Sequence, residues 1–182
     1  EVVSIDESGS AESAIHAIRK LTENDKVDVL IGGHASAMTL AQLPTIVQSK
    51  TLYLSVAGAA PAITQRVSKD YEKYRYVFRV GPLNAAQQAQ ALADFIAGYV
   101  IGEAGLRRVA FLGEDAKWVQ DLLPILARSA IAAGGEVRAS EVFDPALADF
   151  SAVLDKVRNA GTQFLVLIVS QGASDVLVRQ WF

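Results

Sequence analysis

The chain contains no cysteine, which excludes disulfides, thiolate metal sites and cysteine nucleophiles. It has only two histidines, His16 and His34. Neither has a second His or a clustered carboxylate at metal-ligand spacing, so no metal site is expected, and no cofactor. A surplus of positive charge is also missing. Lys and Arg total 17 against 20 Asp and Glu, with no basic run, so nucleic acid is excluded as a partner. Long apolar runs are absent too. The longest are Val27 to Ile31, broken by Asp28, and Phe164 to Val169. A membrane span needs ~20 residues, so the chain is peripheral to a membrane at most.

What is there is alternation. About half of the 182 residues are apolar, enough for one or two packed domains. Short apolar runs read as strands at Val2–Ile5, Val27–Ile31, Leu52–Val56, Tyr76–Val80, Val109–Leu112, Val137–Phe143 and Phe164–Val169. Amphipathic helices fall between them, near Ala11–Thr22, Ala37–Val47, Ala85–Val100, Val119–Ala133 and Phe150–Asn159, with a last one from Ala173. Ser10, Ser36 and Asp149 read as caps, and Asn84 with Gln87 as a capping box. The stretch from Thr64 to Tyr74 is polar and tyrosine-rich. Strands alternating with helices of this length imply βαβ units and parallel sheets. The near-continuous apolar strand Leu165–Val169 fits a sheet covered on both faces. Gly81-Pro82 interrupts the series. The expected fold is therefore α/β, two Rossmann-like lobes with parallel sheets joined by a hinge, residues 1–81 and 82–182. Glu1–Asp6 reads as a strand already under way, and the chain stops inside an amphipathic pattern at Gln180-Trp181-Phe182. It is expected to be an internal piece of a longer protein, incomplete in both lobes.

Ligands of open parallel sheets bind at the carboxyl ends of strands, and three such ends carry candidate groups. The first is Gly32-Gly33-His34-Ala35-Ser36. Its glycines admit close approach, and Ser36 with a helix N-terminus suits an anion. The same residues also read as a plain strand-to-helix turn with a serine cap. The second is Ala57-Gly58-Ala59-Ala60-Pro61, where small side chains bare the main chain; a tight packing turn reads equally well. The third is Glu114-Asp115-Ala116-Lys117-Trp118, whose tryptophan is either a ligand wall or core. Ser170, after the last strand, is a fourth and weaker candidate. Catalytic signatures fail. The positions two before and two after Ser36 hold His34 and Met38, where a nucleophile elbow needs glycine. No G-x-G fingerprint or P-loop exists. Catalysis is not expected, and a Rossmann-like enzyme is the weaker alternative.

Taken in order, these residues resemble the leucine/isoleucine/valine-type solute-binding proteins of ABC importers, which have the type I periplasmic-binding fold. The resemblance rests on Ile31-Gly32-Gly33-His34-Ala35-Ser36-Ala37-Met38-Thr39, on the small-residue loop running to Thr64-Gln65-Arg66, and on Tyr76-Val77-Phe78-Arg79. It continues through Gly81-Pro82-Leu83-Asn84, Trp118, Asp149-Phe150-Ser151 and Ser170. It implies an extracytoplasmic protein, periplasmic or lipid-anchored, that closes two lobes on a small amino-acid-like or carboxylate ligand and serves an ABC permease complex. A ligand-sensing receptor or regulator of the same fold is the alternative. The ligand residues it implies are His34, Ala35, Ser36, Ala57, Gly58 and Ala59 from one lobe and Trp118 and Ser170 from the other. It also implies that the acidic residue holding a ligand ammonium lies outside this sequence. Ala59 departs from the family, whose amino-acid binders commonly have threonine there; aromatic acids, amides and urea are ligands of relatives.

Overall fold

The computed structural model describes residues 1–7, 9–81, 84–170 and 173–181. It divides into two compact units, Glu1–Asn84 and Ala85–Phe182. Pro82 and Leu83, half of the expected hinge, lie outside the described residues.

In the first unit, β1 (Val29–Gly32), β2 (Leu52–Ser55) and β3 (Val77–Arg79) form a parallel sheet in the order β1-β2-β3. Parallel neighbours need crossovers. Here α2 (Ser36–Ser49) joins β1 to β2, and α3 (Ala62–Lys69) with α4 (Tyr71–Tyr74) joins β2 to β3. The polar stretch Thr64–Tyr74 is thus mostly helical, and Ile63, just before it in α3, is the buried anchor. Leu30, Leu43, Ile46, Tyr53, Ile63 and Val77 make the core. The preceding helix α1 (Ala11–Arg19) is capped by Ser10, whose hydroxyl accepts the Ser13 N–H at 3.1 Å. Its Ala14, Ala17 and Ile18 are buried, and small residues let it pack closely on α2. It continues in wider π-type turns over Lys20–Asn24.

Two expectations fail here. Val2–Ile5 is not a strand, and Val2 is 93% exposed. A gap of about 670 Å³, lined by residues 1–5 and 25–31, lies where a ladder to β1 would have to form. Ser36 is not a cap. Ala35 holds the extended cap conformation (φ −89°, ψ 134°), and Ser36 is the first helical residue.

In the second unit the sheet order is β5-β4-β6, all parallel: β4 is Arg108–Glu114, β5 Glu136–Phe143 and β6 Phe164–Ile168. The central strand β4 is buried on both faces from Val109 to Leu112. Each large side chain enclosed there, such as Phe111, contributes about 1.5–3 kcal/mol. Helices α5 (Ala85–Phe95) and α6 (Lys117–Ala132) pack together over this sheet. Helix α7 (Ser151–Asn159) and helix α8 (Ala173–Trp181) enclose a second cluster around Phe143, Phe150, Leu154 and Leu177. Helix α7 starts one residue later than expected. Asp149 still serves its first turn by accepting the Ser151 N–H at 2.9 Å and hydroxyl at 2.6 Å. Those bonds, the hydroxyl's first, hold the Asp149 carboxyl below its usual range.

Candidate functional site

The carboxyl ends of β1 and β2 are joined by backbone. Gly32 O accepts the Val56 N–H at 2.9 Å, and Gly33 O accepts those of Ala57 (3.3 Å) and Gly58 (2.7 Å). Gly33 makes this possible with a left-handed φ of 81°, and a Cβ there would strike the Tyr53 hydroxyl and the Thr39 side chain. Ser36 adds a third tie: its buried hydroxyl accepts the Ala60 N–H at 3.0 Å. From the end of β3, Arg79 donates to Gly58 O and, at 2.9 Å, to Ala60 O. Burial pulls its guanidinium below the ordinary arginine value. An arginine fork across two carbonyls fixes the loop and brings a positive charge to it.

This scaffold leaves donors over. The N–H groups of Ser36, Ala37 and Met38 precede the first helical bond, which Thr39 makes to Ala35 O. Neither the Ala59 N–H nor the Ser36 hydroxyl proton meets an acceptor among the described residues. With Arg79 nearby, the cluster suits an anion. The structure thus gathers Ser36, Ala57, Gly58 and Ala59, although the N–H groups of Ala57 and Gly58 are already used. Ala35 is the helix cap. His34 is exposed, and its N–H goes to the Glu7 carboxylate at 3.2 Å. His34, Glu7, Gln42 and Tyr53 border a separate cavity of about 280 Å³ that does not include Ser36. Glu7, which also accepts from Gln42 at 2.8 Å, makes that cavity unfavourable for an anion. Beside it, burial pushes the Tyr53 phenol up to about 12.

The second unit has its own strand-end cluster. In the order β5-β4-β6, the crossover from β4 runs to one side and the next, from β5, returns past β4 to the other, so the crevice beyond the ends of β4 and β6 is a topological switch point. Glu114 ends β4 and Ser170 follows β6. Glu114 is only 4% exposed. Its Oε1 accepts the Ser170 hydroxyl at 2.6 Å and the Trp118 indole N–H at 3.3 Å; its Oε2 accepts the Ser170 N–H at 3.0 Å. Trp118 stands in the first turn of α6, half-buried against the core. The two expected residues of this unit are therefore joined by a third, which sequence reasoning placed in the candidate segment Glu114–Trp118 but not among the ligand residues. Its only signal was a charged residue closing the apolar run Val109–Leu112 at a strand end.

The periplasmic binding protein family matches residues 1–180. The chain belongs to that family. Solved periplasmic binding proteins align with it at low identity. One is a Rhodopseudomonas palustris BisB5 ABC-transporter solute-binding protein in complex with 3,4-dihydroxybenzoic acid (24% identity, TM-score 0.83). Another is an R. palustris solute-binding protein in complex with 4-hydroxybenzoate (19%, TM-score 0.82). A third is a leucine-binding protein from Thermotoga maritima MSB8 (23%, TM-score 0.80). These alignments take in 100%, 99% and 100% of this chain, but 46%, 46% and 48% of those chains. The chain thus spans about half the length of its relatives, and its fold is that of the type I periplasmic binding proteins. No curated protein matches it. Among the described residues no helix is long and apolar enough to cross a membrane, and no acidic or histidine cluster could hold a metal.

Proposed function

We propose that these residues belong to an extracytoplasmic solute-binding protein that captures a small carboxylate and delivers it to an ABC permease. Binding, not catalysis, is the activity. The ligand's carboxylate sits at the joined ends of β1 and β2, and Trp118 and Ser170 contribute from the second unit. The observation that carries the reading is the Ser36 hydroxyl. It accepts from Ala60 and its proton meets no acceptor among the described residues, beside the N–H groups of Ser36, Ala37, Met38 and Ala59, which likewise find none there. Such charge-assisted bonds are the strong ones.

Family membership and the ligands of the solved relatives, hydroxybenzoates and leucine, support the same class. Ala59 has no hydroxyl, so this loop can grip a carboxylate only through backbone and Ser36. That favours aromatic acids at least as much as branched-chain amino acids. The test is native mass spectrometry of the purified full protein, followed by thermal shift with benzoate, 4-hydroxybenzoate and leucine. One of these, or a co-purified small carboxylate, is expected to raise the melting temperature. A protein that carries no ligand and shifts with no carboxylate would refute the reading.

A further inference from the structure

At the ends of β4 and β6 the Ser170 and Trp118 side-chain donors are already used. An ionised carboxylate only accepts, so Ser170 gives both its hydroxyl proton and its N–H to Glu114, and Trp118 gives its indole N–H to the same group. Glu114 is buried, whereas Ser170 is exposed and Trp118 half-buried. What remains of the two side chains is the lone pairs of the Ser170 oxygen and the indole ring, with Glu114 behind them, while the main-chain N–H groups of Lys117, Trp118 and Val119 precede the first backbone bond of α6, from Gln120 to Ala116. Lys117, the adjacent cation, is paired with Asp121. The Ser170 hydroxyl is thus committed as a donor, the opposite of the Ser36 hydroxyl, which accepts from Ala60.

We propose that Glu114 is the positioning residue of the second unit's ligand wall, making Ser170 an acceptor-only contact that selects ligands bearing a hydroxyl or N–H donor besides their carboxylate. Glu114 acts through Ser170 and Trp118 and need not touch the ligand. The inference rests on the proposed function in one respect: it takes Trp118 and Ser170 as ligand contacts.

Benzoate and 4-hydroxybenzoate differ by one donor, and their dissociation constants in the full protein give a selectivity ratio. Wild type is expected to bind the hydroxylated probe about tenfold more tightly, the value of one added hydrogen bond of roughly 1.4 kcal/mol. Glu114→Gln frees a donor on Ser170 and should bring the ratio to about one. Ser170→Ala removes the acceptor, should do the same, and leaves the Glu114–Trp118 bond intact if Glu114→Gln folds poorly. In ¹⁵N–¹H spectra, the Trp118 indole signal should move in Glu114→Gln and hold in Ser170→Ala, with the Trp181 signal as reference. Equal affinities in wild type, or a ratio unchanged in both variants, would overturn the proposal. So would a Trp118 signal indifferent to Glu114. Ser36→Ala separates the two readings: it should weaken both probes alike and leave the ratio alone. If it weakens neither while Ser170→Ala still abolishes selectivity, the carboxylate site is wrong and the Glu114 assignment stands. A wild type that binds neither probe contradicts both.

Discussion

The Ser36 hydroxyl and the Ala60 N–H meet at 3.0 Å, joining the start of α2 to the loop after β2. Both residues are buried. One serine thereby holds two strand-end segments together, and its own proton meets no acceptor among the described residues. Ser36→Ala would leave the Ala60 N–H buried without an acceptor. The expected stability loss is about 1–3 kcal/mol, read from urea or thermal unfolding. An unchanged midpoint would mean that this contact does not hold the loop.

Gly33 and Gly32 are adjacent and should respond differently to the same change. Gly33→Ala meets a left-handed φ and places a methyl on the Tyr53 hydroxyl and Thr39. Backbone strain of about 1–2 kcal/mol and overpacking of about 1–3 kcal/mol combine against it. A Cβ at Gly32 has nothing within 4 Å. Gly32→Ala should therefore fold nearly as wild type and Gly33→Ala should not, by circular dichroism and thermal midpoint. Equal behaviour would contradict the geometry of the turn.

Tyr53 makes an alkaline prediction. Its phenol ionises near 10 when unfolded and at about 12 when folded, chiefly because burial disfavours the charged form. Between those values the unfolded chain has lost the proton and the folded one keeps it. Stability is therefore fully present below about pH 10 and is lost as pH rises toward 12, by up to roughly 2–3 kcal/mol. Tyr53→Phe should flatten this limb of a pH–stability curve without harming the fold at pH 7. An alkaline limb identical to wild type would show that Tyr53 does not titrate as its burial requires.

Much of this architecture is legible in sequence because periodicity reports it. The apolar run Phe164–Val169 becomes β6, the pattern near Val119–Ala133 becomes α6, and both sheets are parallel. What fails depends on tertiary partners. Val2–Ile5 has a strand's composition, yet strands exist only where a ladder can form, and here a gap separates it from β1. Ser36 has a cap's composition, but Ala35 takes the cap conformation and the hydroxyl is engaged by Ala60, 24 residues away. The segment Thr64–Tyr74 reads only as polar and tyrosine-rich because α3 and α4 bury almost nothing except Ile63. Glu114 looks like a solvated charge at a strand end. Only Ser170, 56 residues on, and Trp118 reveal that it is enclosed and fully used.

A ligand that draws on both units should change the distance between them. Gln48 on α2 and Arg128 on α6 are exposed and suit spin labels. In the full protein, pulsed electron resonance should show the label distance distribution shift and narrow when a carboxylate ligand saturates the site. An unchanged distribution at saturation would mean that one unit binds alone.

The most direct test of carboxylate capture at the ends of β1 and β2 is calorimetric titration of wild type and Ser36→Ala with the carboxylate that gives the largest thermal shift. At a temperature where both are folded, Ser36→Ala should bind roughly 1–3 kcal/mol more weakly, the loss of a hydrogen bond to a charged group. Equal affinity in the two proteins would place the ligand elsewhere and contradict the account.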